Sequence, residues 1–181
     1  MIDAETVQSL RIVFPSLTNL DIRWCESMGH QPEQALVSLL GTQGTAVAPL
    51  SSLLCRCLPL IDDAIAAFVR TSAAAHGGCM LRQLDVGRCD ALTDSSLNIL
   101  AESACELTHV NLEWLYHVTD QGVRRIIRRC TNLQFLKLEG CKQITVRSEY
   151  CCSHLCRNAC VPQQQRVCSS VSGSFTRCVC H

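Results

Sequence analysis

Three stretches of this chain repeat one pattern at a fixed interval. LRQLDVGRCDALTD, LTHVNLEWLYHVTD and LQFLKLEGCKQITV open at Leu81, Leu107 and Leu133, 26 residues apart (107−81 and 133−107). The same interval relates Leu84, Val110 and Leu136, then Val86, Leu112 and Leu138, then Cys89, Leu115 and Cys141. Leu92, Val118 and Ile144 keep it, as do Thr93, Thr119 and Thr145. A fixed period of this length means stacked supersecondary units, none of which can bury its apolar stripe alone.

Counting from each opening leucine, the apolar residues at +3 and +5 have the period-two spacing of a strand with one buried face. Those at +16 and +19 (Leu97 and Leu100; Val123 and Ile126) have helical spacing. Between them stand Thr93-Asp94 and Thr119-Asp120. These residue types cap a helix N-terminus by accepting its free N–H groups. Each unit therefore reads as strand, turn and helix.

Less regular copies precede these three. Leu17, Leu20, Ile22 and Cys25 occupy 0, +3, +5 and +8 of a first complete strand unit, with a helix expected over 33–40 after Pro32. Leu50, Leu53, Cys55, Leu58 and Ile61 begin a second, with Asp63 at +13 and a helix over 64–75 ended by Gly77-Gly78. Gly41 to Ala48 reads as the loop between them. Residues 3–14 resemble the tail of a repeat, so the chain opens inside one. The expected organisation is a repeat array over 1–148, with units near 17, 50, 81, 107 and 133. A cysteine-rich tail follows over 149–181, poorly ordered and without the repeat register.

The framework L-x-x-L-x-L-x-x-C followed by Thr-Asp and a helix resembles the cysteine-containing leucine-rich repeat. That subtype is typical of F-box/leucine-rich-repeat proteins and their antagonist-of-mitotic-exit relatives. The resemblance is specific over 79–145. It implies an α/β fold, a short leucine-rich-repeat solenoid: a right-handed βα superhelix with a curved parallel sheet of about five strands inside and helices outside. It also implies a substrate-recognition module of a Skp–cullin–F-box ubiquitin ligase. Only 16 residues precede Leu17, so F-box helices are not expected ahead of the repeats, nor direct docking to a Skp adaptor. The alternative class is a non-enzymatic scaffold, such as a cytoskeletal or flagellar assembly protein using the same repeats.

Composition narrows the functional classes. Sixteen basic and sixteen acidic residues balance, which gives no bulk electrostatic case for nucleic acid or an anionic membrane. Residues 35–55 are uncharged but carry Gly, Thr, Gln and Pro at their centre, wrong for hydrocarbon. The N-terminus lacks the basic and apolar regions of a signal peptide. Eight of the fifteen cysteines fall in residues 1–148. Cys25, Cys89 and Cys141 take the +8 position, and Cys79 and Cys105 both stand two residues before an opening leucine. Repeat-locked cysteines act as small buried hydrophobes, which favours free thiols and a cytoplasmic or nuclear location. The tail holds Cys152, Cys156 and Cys160 with His154 nearby, but its spacings match no standard zinc arrangement, and no metal or cofactor is expected. No nucleophile elbow, zincin or phosphate-loop motif occurs, so no catalytic residue is expected.

The expected function is protein recognition on the concave face. With +3 and +5 buried, +4 and +6 point out of the sheet. From these rows come Asp21, Asp85, Asn111 and Lys137, then Arg23, Arg56, Glu113 and Glu139. Trp24 and Trp114 stand at +7, Arg88 joins them, and His109 and Phe135 stand at +2. Paired tryptophans beside an exposed sheet are a binding signal, since tryptophan is enriched at interface hot spots; the alternative role for each is to cover the top of its own repeat. Arg124, Arg125, Arg128 and Arg129 form the one dense basic cluster. On a helix with Ile126 inward they spread over a solvated outer face, with a patch for an acidic partner as the alternative.

Overall fold

A computed structural model describes residues 9, 13–25 and 48–145. Among the described residues, the elements with described bounds are five three-residue strands and three helices, in the order β1 (Asn19–Asp21), β2 (Ser52–Leu54), α1 (Asp62–His76), β3 (Gln83–Asp85), α2 (Asp94–Ser103), β4 (His109–Asn111), α3 (Asp120–Arg129) and β5 (Phe135–Lys137). The five strands form one all-parallel sheet in chain order, β1-β2-β3-β4-β5.

Each strand covers positions +2 to +4 of its unit, and the register aligns like with like. Leu20 pairs with Leu53, Leu53 with Leu84, Leu84 with Val110 and Val110 with Leu136. The irregular first two units thus align as faithfully as the last three. The ladder continues beyond the strands: the +5 amides of Ile22, Cys55, Val86 and Leu112 donate to the +4 carbonyl of the next unit at 2.8–3.1 Å.

The +3 and +5 side chains of all five units are buried, and they share one core with the inward residues of the helices. α1 supplies Ile65, Phe68 and Val69, α2 supplies Leu97, Leu100 and Ala101, and α3 supplies Val123, Ile126 and Ile127. Helices therefore cover one face of the sheet. α1 packs on α2, and α2 on α3.

The Thr-Asp pairs do more than cap. Thr93 and Thr119 accept through their side chains from Ser95 N and Gln121 N, starting α2 and α3. The aspartates face the next unit. Asp94 accepts from Thr119 N at 2.8 Å and Thr119 Oγ1 at 2.5 Å, and Asp120 accepts from Thr145 N and Oγ1 at the same distances. Asp62 does the same for Thr93, at 2.9 and 2.5 Å, and also accepts from Ser96 Oγ. A file of carboxylates thus clips each helix start to the matching threonine of the next unit.

Two expectations are corrected. The aspartate that clips the second unit to the third is Asp62 at +12, and Asp63 at +13 is exposed. α1 begins one position earlier than its counterparts, with Ile61 in the N-cap place and no side-chain cap. Cys79 is buried as expected, but Cys105 at the same register is exposed. The reason is the helix exit. α1 leaves through Gly77 in the left-handed region (φ 73°), whereas α2 and α3 end on Ala104 and Cys130 at negative φ. That moves the buried position to the residue three before the leucine, where Ala104 and Cys130 sit. The helix over 33–40, the loop over 41–47, residues 3–8 and the tail over 149–181 lie outside the described residues.

All eight cysteines up to residue 148 are free thiols. Cys89 Sγ donates to Cys55 O at 3.3 Å and Cys141 Sγ to Leu112 O at 3.0 Å, so the +8 thiol bonds the +5 carbonyl of the preceding unit. Burial pushes the Cys89 and Cys130 thiols up to about 12 and raises those of Cys55, Cys79 and Cys141.

Candidate functional site

The sheet face opposite the helices is bounded by a turn in which every unit adopts the same unusual backbone. Trp24, Cys57, Arg88, Trp114 and Gly140 all stand at +7, and all have positive φ, between 58° and 75°. In the first, third and fifth units the +8 amide returns to the +5 carbonyl (Cys25 to Ile22, Cys89 to Val86, Cys141 to Leu138). This closes a β-turn whose third residue must be left-handed. Non-glycine residues resist that region by about 1–2 kcal/mol each. They are held there by another rung of the ladder, because the +7 amide donates to the +6 carbonyl of the next unit in all four successive pairs, at 2.8–3.1 Å.

The two tryptophans part company in this turn. Trp114 lies against Gly140, where an added Cβ would stand 2.5 Å from Trp114 Cδ2. The Arg88 guanidinium sits 5.0 Å from the Trp114 ring centroid, a cation–π contact. Trp24 is 61% exposed. Sequence position made them equivalent; their neighbours do not.

Beside the turn runs a charge network. Glu113, only 3% exposed, pairs with both Arg56 and Lys137 and accepts from Asn111 Nδ2 at 3.2 Å. Burial alone would raise its pKa, yet hydrogen bonds from Lys137, Arg56 and Asn111 hold the carboxyl below the ordinary glutamate value of 4.5. Arg56 belongs to the second unit and Glu113 to the fourth, so the bond crosses the whole third unit. It crosses at Gly87, whose absent side chain leaves the path open: a Cβ there would meet Asp85 Oδ1 at 3.2 Å and Arg56 Nη1 at 3.4 Å.

Three of the +4 residues turn their side chains onto their own backbone. Asp21, Asp85 and Asn111 accept through Oδ1 from the +6 amides of Arg23, Gly87 and Glu113, at 3.0–3.2 Å. Asp21 also pairs with Arg23 at 2.6 Å, which lowers its pKa chiefly through that side-chain bond. His109 and Phe135 stack with centroids 6.0 Å apart.

The residues expected on this face fall into three sets. Trp24, Asp21, Arg23, Arg88, His109 and Glu139 are exposed, and Asn111, Trp114, Phe135 and Lys137 are half-buried and reachable. Asp85, at 8% exposure, and Glu113 are buried. Arg56 is mostly covered by its pairing with Glu113 and has an Nε without a hydrogen-bond partner. These three hold the face together, and the first two sets present it. The left-handed file at +7 was missed in the sequence, although Gly140 in register with Trp24 and Trp114 was its signal. Gln83 and Ser52 were missed too; at +2 they are joined by a 3.2 Å hydrogen bond.

No family model matches the chain. Lysine-specific demethylase 2A of Xenopus tropicalis is similar, 36% identical over 70 residues, which is 36% of this chain and 6% of that protein. The chain therefore spans a small part of the length of the curated relative it matches. Among the described residues, no group of three His, Cys, Asp or Glu side chains could hold a metal ion. No described helix is long and apolar enough to cross a membrane.

Proposed function

We propose that the chain is a short leucine-rich-repeat solenoid that recognises a protein partner through the sheet face opposite its helices, without catalysis. The observation that carries this reading is the contrast between a rigidly tied sheet and what stands on it. The face is held by the ladder and by the Glu113 network, and it offers an exposed tryptophan, charged residues of both signs and the His109–Phe135 pair. Ordered backbone beneath rotamer-poor aromatic groups lowers the entropic cost of binding, and tryptophan and arginine dominate interface hot spots.

The resemblance of the repeats supports assigning this recognition to substrate selection in a cullin-based ubiquitin ligase. The test is affinity capture with the wild-type chain and with Trp24→Ala/Glu139→Lys. The reading expects ligase subunits and a client whose turnover depends on this chain, both lost or much reduced with the variant. Partners retained by the variant would remove the sheet face from the binding site, and stable partners without ligase subunits would favour a scaffold.

A further inference from the structure

A second surface lies on the helical side. A groove of about 680 Å³ is lined by Thr119, Asp120, Gln121, Arg124, Arg125, Arg128 and Gln143. Three of the four clustered arginines therefore line one concavity. The lining holds a single carboxylate, Asp120, against three arginines. Arg125 is only loosely balanced by Glu102, at 3.7 Å with both side chains about half exposed or more. The groove is thus cationic, and Gln121, Gln143 and Thr119 complete its lining with polar side chains.

We propose that this groove binds an anionic peptide segment of a partner protein, with carboxylate or phosphate groups on the arginines. Guanidinium forks match both anions in bidentate geometry. A nucleic acid is disfavoured because the patch spans little more than two helical turns on a chain with balanced charge, while backbone tracking needs an extended basic stripe. The chain's own 146–181 segment lacks the complementary charge, with four arginines against the single acid Glu149. The surface is separate from the sheet face, so the two sites are testable apart.

The experiment is fluorescence anisotropy with the full chain and three labelled peptides of equal length: Asp/Glu-rich, phosphoserine-containing and a Gln/Ser control. Either anionic peptide should bind, the control should not, and rising salt should weaken binding. Arg124→Glu/Arg128→Glu should reduce affinity at least about tenfold, in line with two exposed ion pairs lost and repulsion added. Arg124→Gln/Arg128→Gln should also weaken binding with an unchanged melting curve, which separates lost recognition from misfolding. Trp24→Ala should have no effect. Equal binding of the Gln/Ser control, wild-type affinity in a folded Gln variant, or tighter binding of an RNA oligomer of similar charge would each overturn the proposal.

Discussion

Trp24 and Trp114 occupy the same register of the same turn with nearly the same φ, 64° and 60°, yet one is 61% exposed and the other is wedged between Arg88 and Gly140. The difference comes from the neighbouring units. Trp114 has a glycine following it at +7 and an arginine preceding it, and together they make a slot for the indole. Trp24 belongs to the unit of β1, the edge strand of the sheet, and is followed at +7 by Cys57. A repeat position thus sets the backbone of a residue, and the adjacent units set its role.

The largest expected effect breaks this comparison from the Trp114 side. Gly140→Ala places a methyl group into the indole and an alanine at φ 75°, so stability should fall by roughly 2–4 kcal/mol, from overpacking plus left-handed strain. Urea unfolding measures it, and a loss within about 0.5 kcal/mol, the range of an ordinary surface change, would show that the slot is loose.

Trp114→Ala should cost about 2–3 kcal/mol, while Trp24→Ala should stay within about 0.5 kcal/mol. Trp24→Gly should be more stable than Trp24→Ala by about 1 kcal/mol, because only glycine enters the left-handed region freely. Equal losses for the two alanine variants would erase the distinction between framework and exposed tryptophan.

The charge network behind the turn gives a pH signature. The pKa of Glu113 is lowered in the folded chain, so its stabilisation is whole above the ordinary value of 4.5 and is lost as pH falls through the folded-state value. Asp62, lowered against its burial by hydrogen bonds from Ser96 and Thr93, adds in the same direction below its ordinary value of 3.8. Glu113→Gln should cost about 1–3 kcal/mol at neutral pH and flatten the acid limb of a stability-versus-pH curve. An unchanged acid limb would mean that the pairs with Arg56 and Lys137 contribute little.

The smallest effect concerns a second pair in matching register. Cys105 should alkylate readily in the native chain at mildly alkaline pH, while Cys79 and Cys89 should react only on unfolding, since burial raises both thiols. Peptide mapping after iodoacetamide treatment checks it; equal native labelling of Cys79 and Cys105 would undo the helix-exit argument.

Much of the fold was legible in the sequence because it is local and periodic. The +3 and +5 residues, the Thr caps and the glycine exit of α1 each follow from spacing or backbone preference, and the strands pair in the register those spacings imply. The one-residue advance of α1 was not legible. Asp62 and Asp63 are both plausible first-turn acids, and only the position of Thr93, 31 residues later, selects Asp62. Gly122 is a similar case. Its place at +15 is filled by Ser96 in the preceding unit, and only the close approach of α3 to Asp94 and Leu97 shows why a side chain is excluded there.

The sequence by itself determined the parallel α/β arrangement, its five strand units and the residues that line its core, because burying an apolar stripe in stacked units forces each copy into the same register. Only the tertiary structure decided which outward residues are presented and which are consumed. Arg56 meets Glu113 across an intervening unit at Gly87, and Asp85 folds back onto that glycine's amide. Such pairings depend on side chains that the repeat leaves free to vary, and on neighbours that become adjacent only when the units stack.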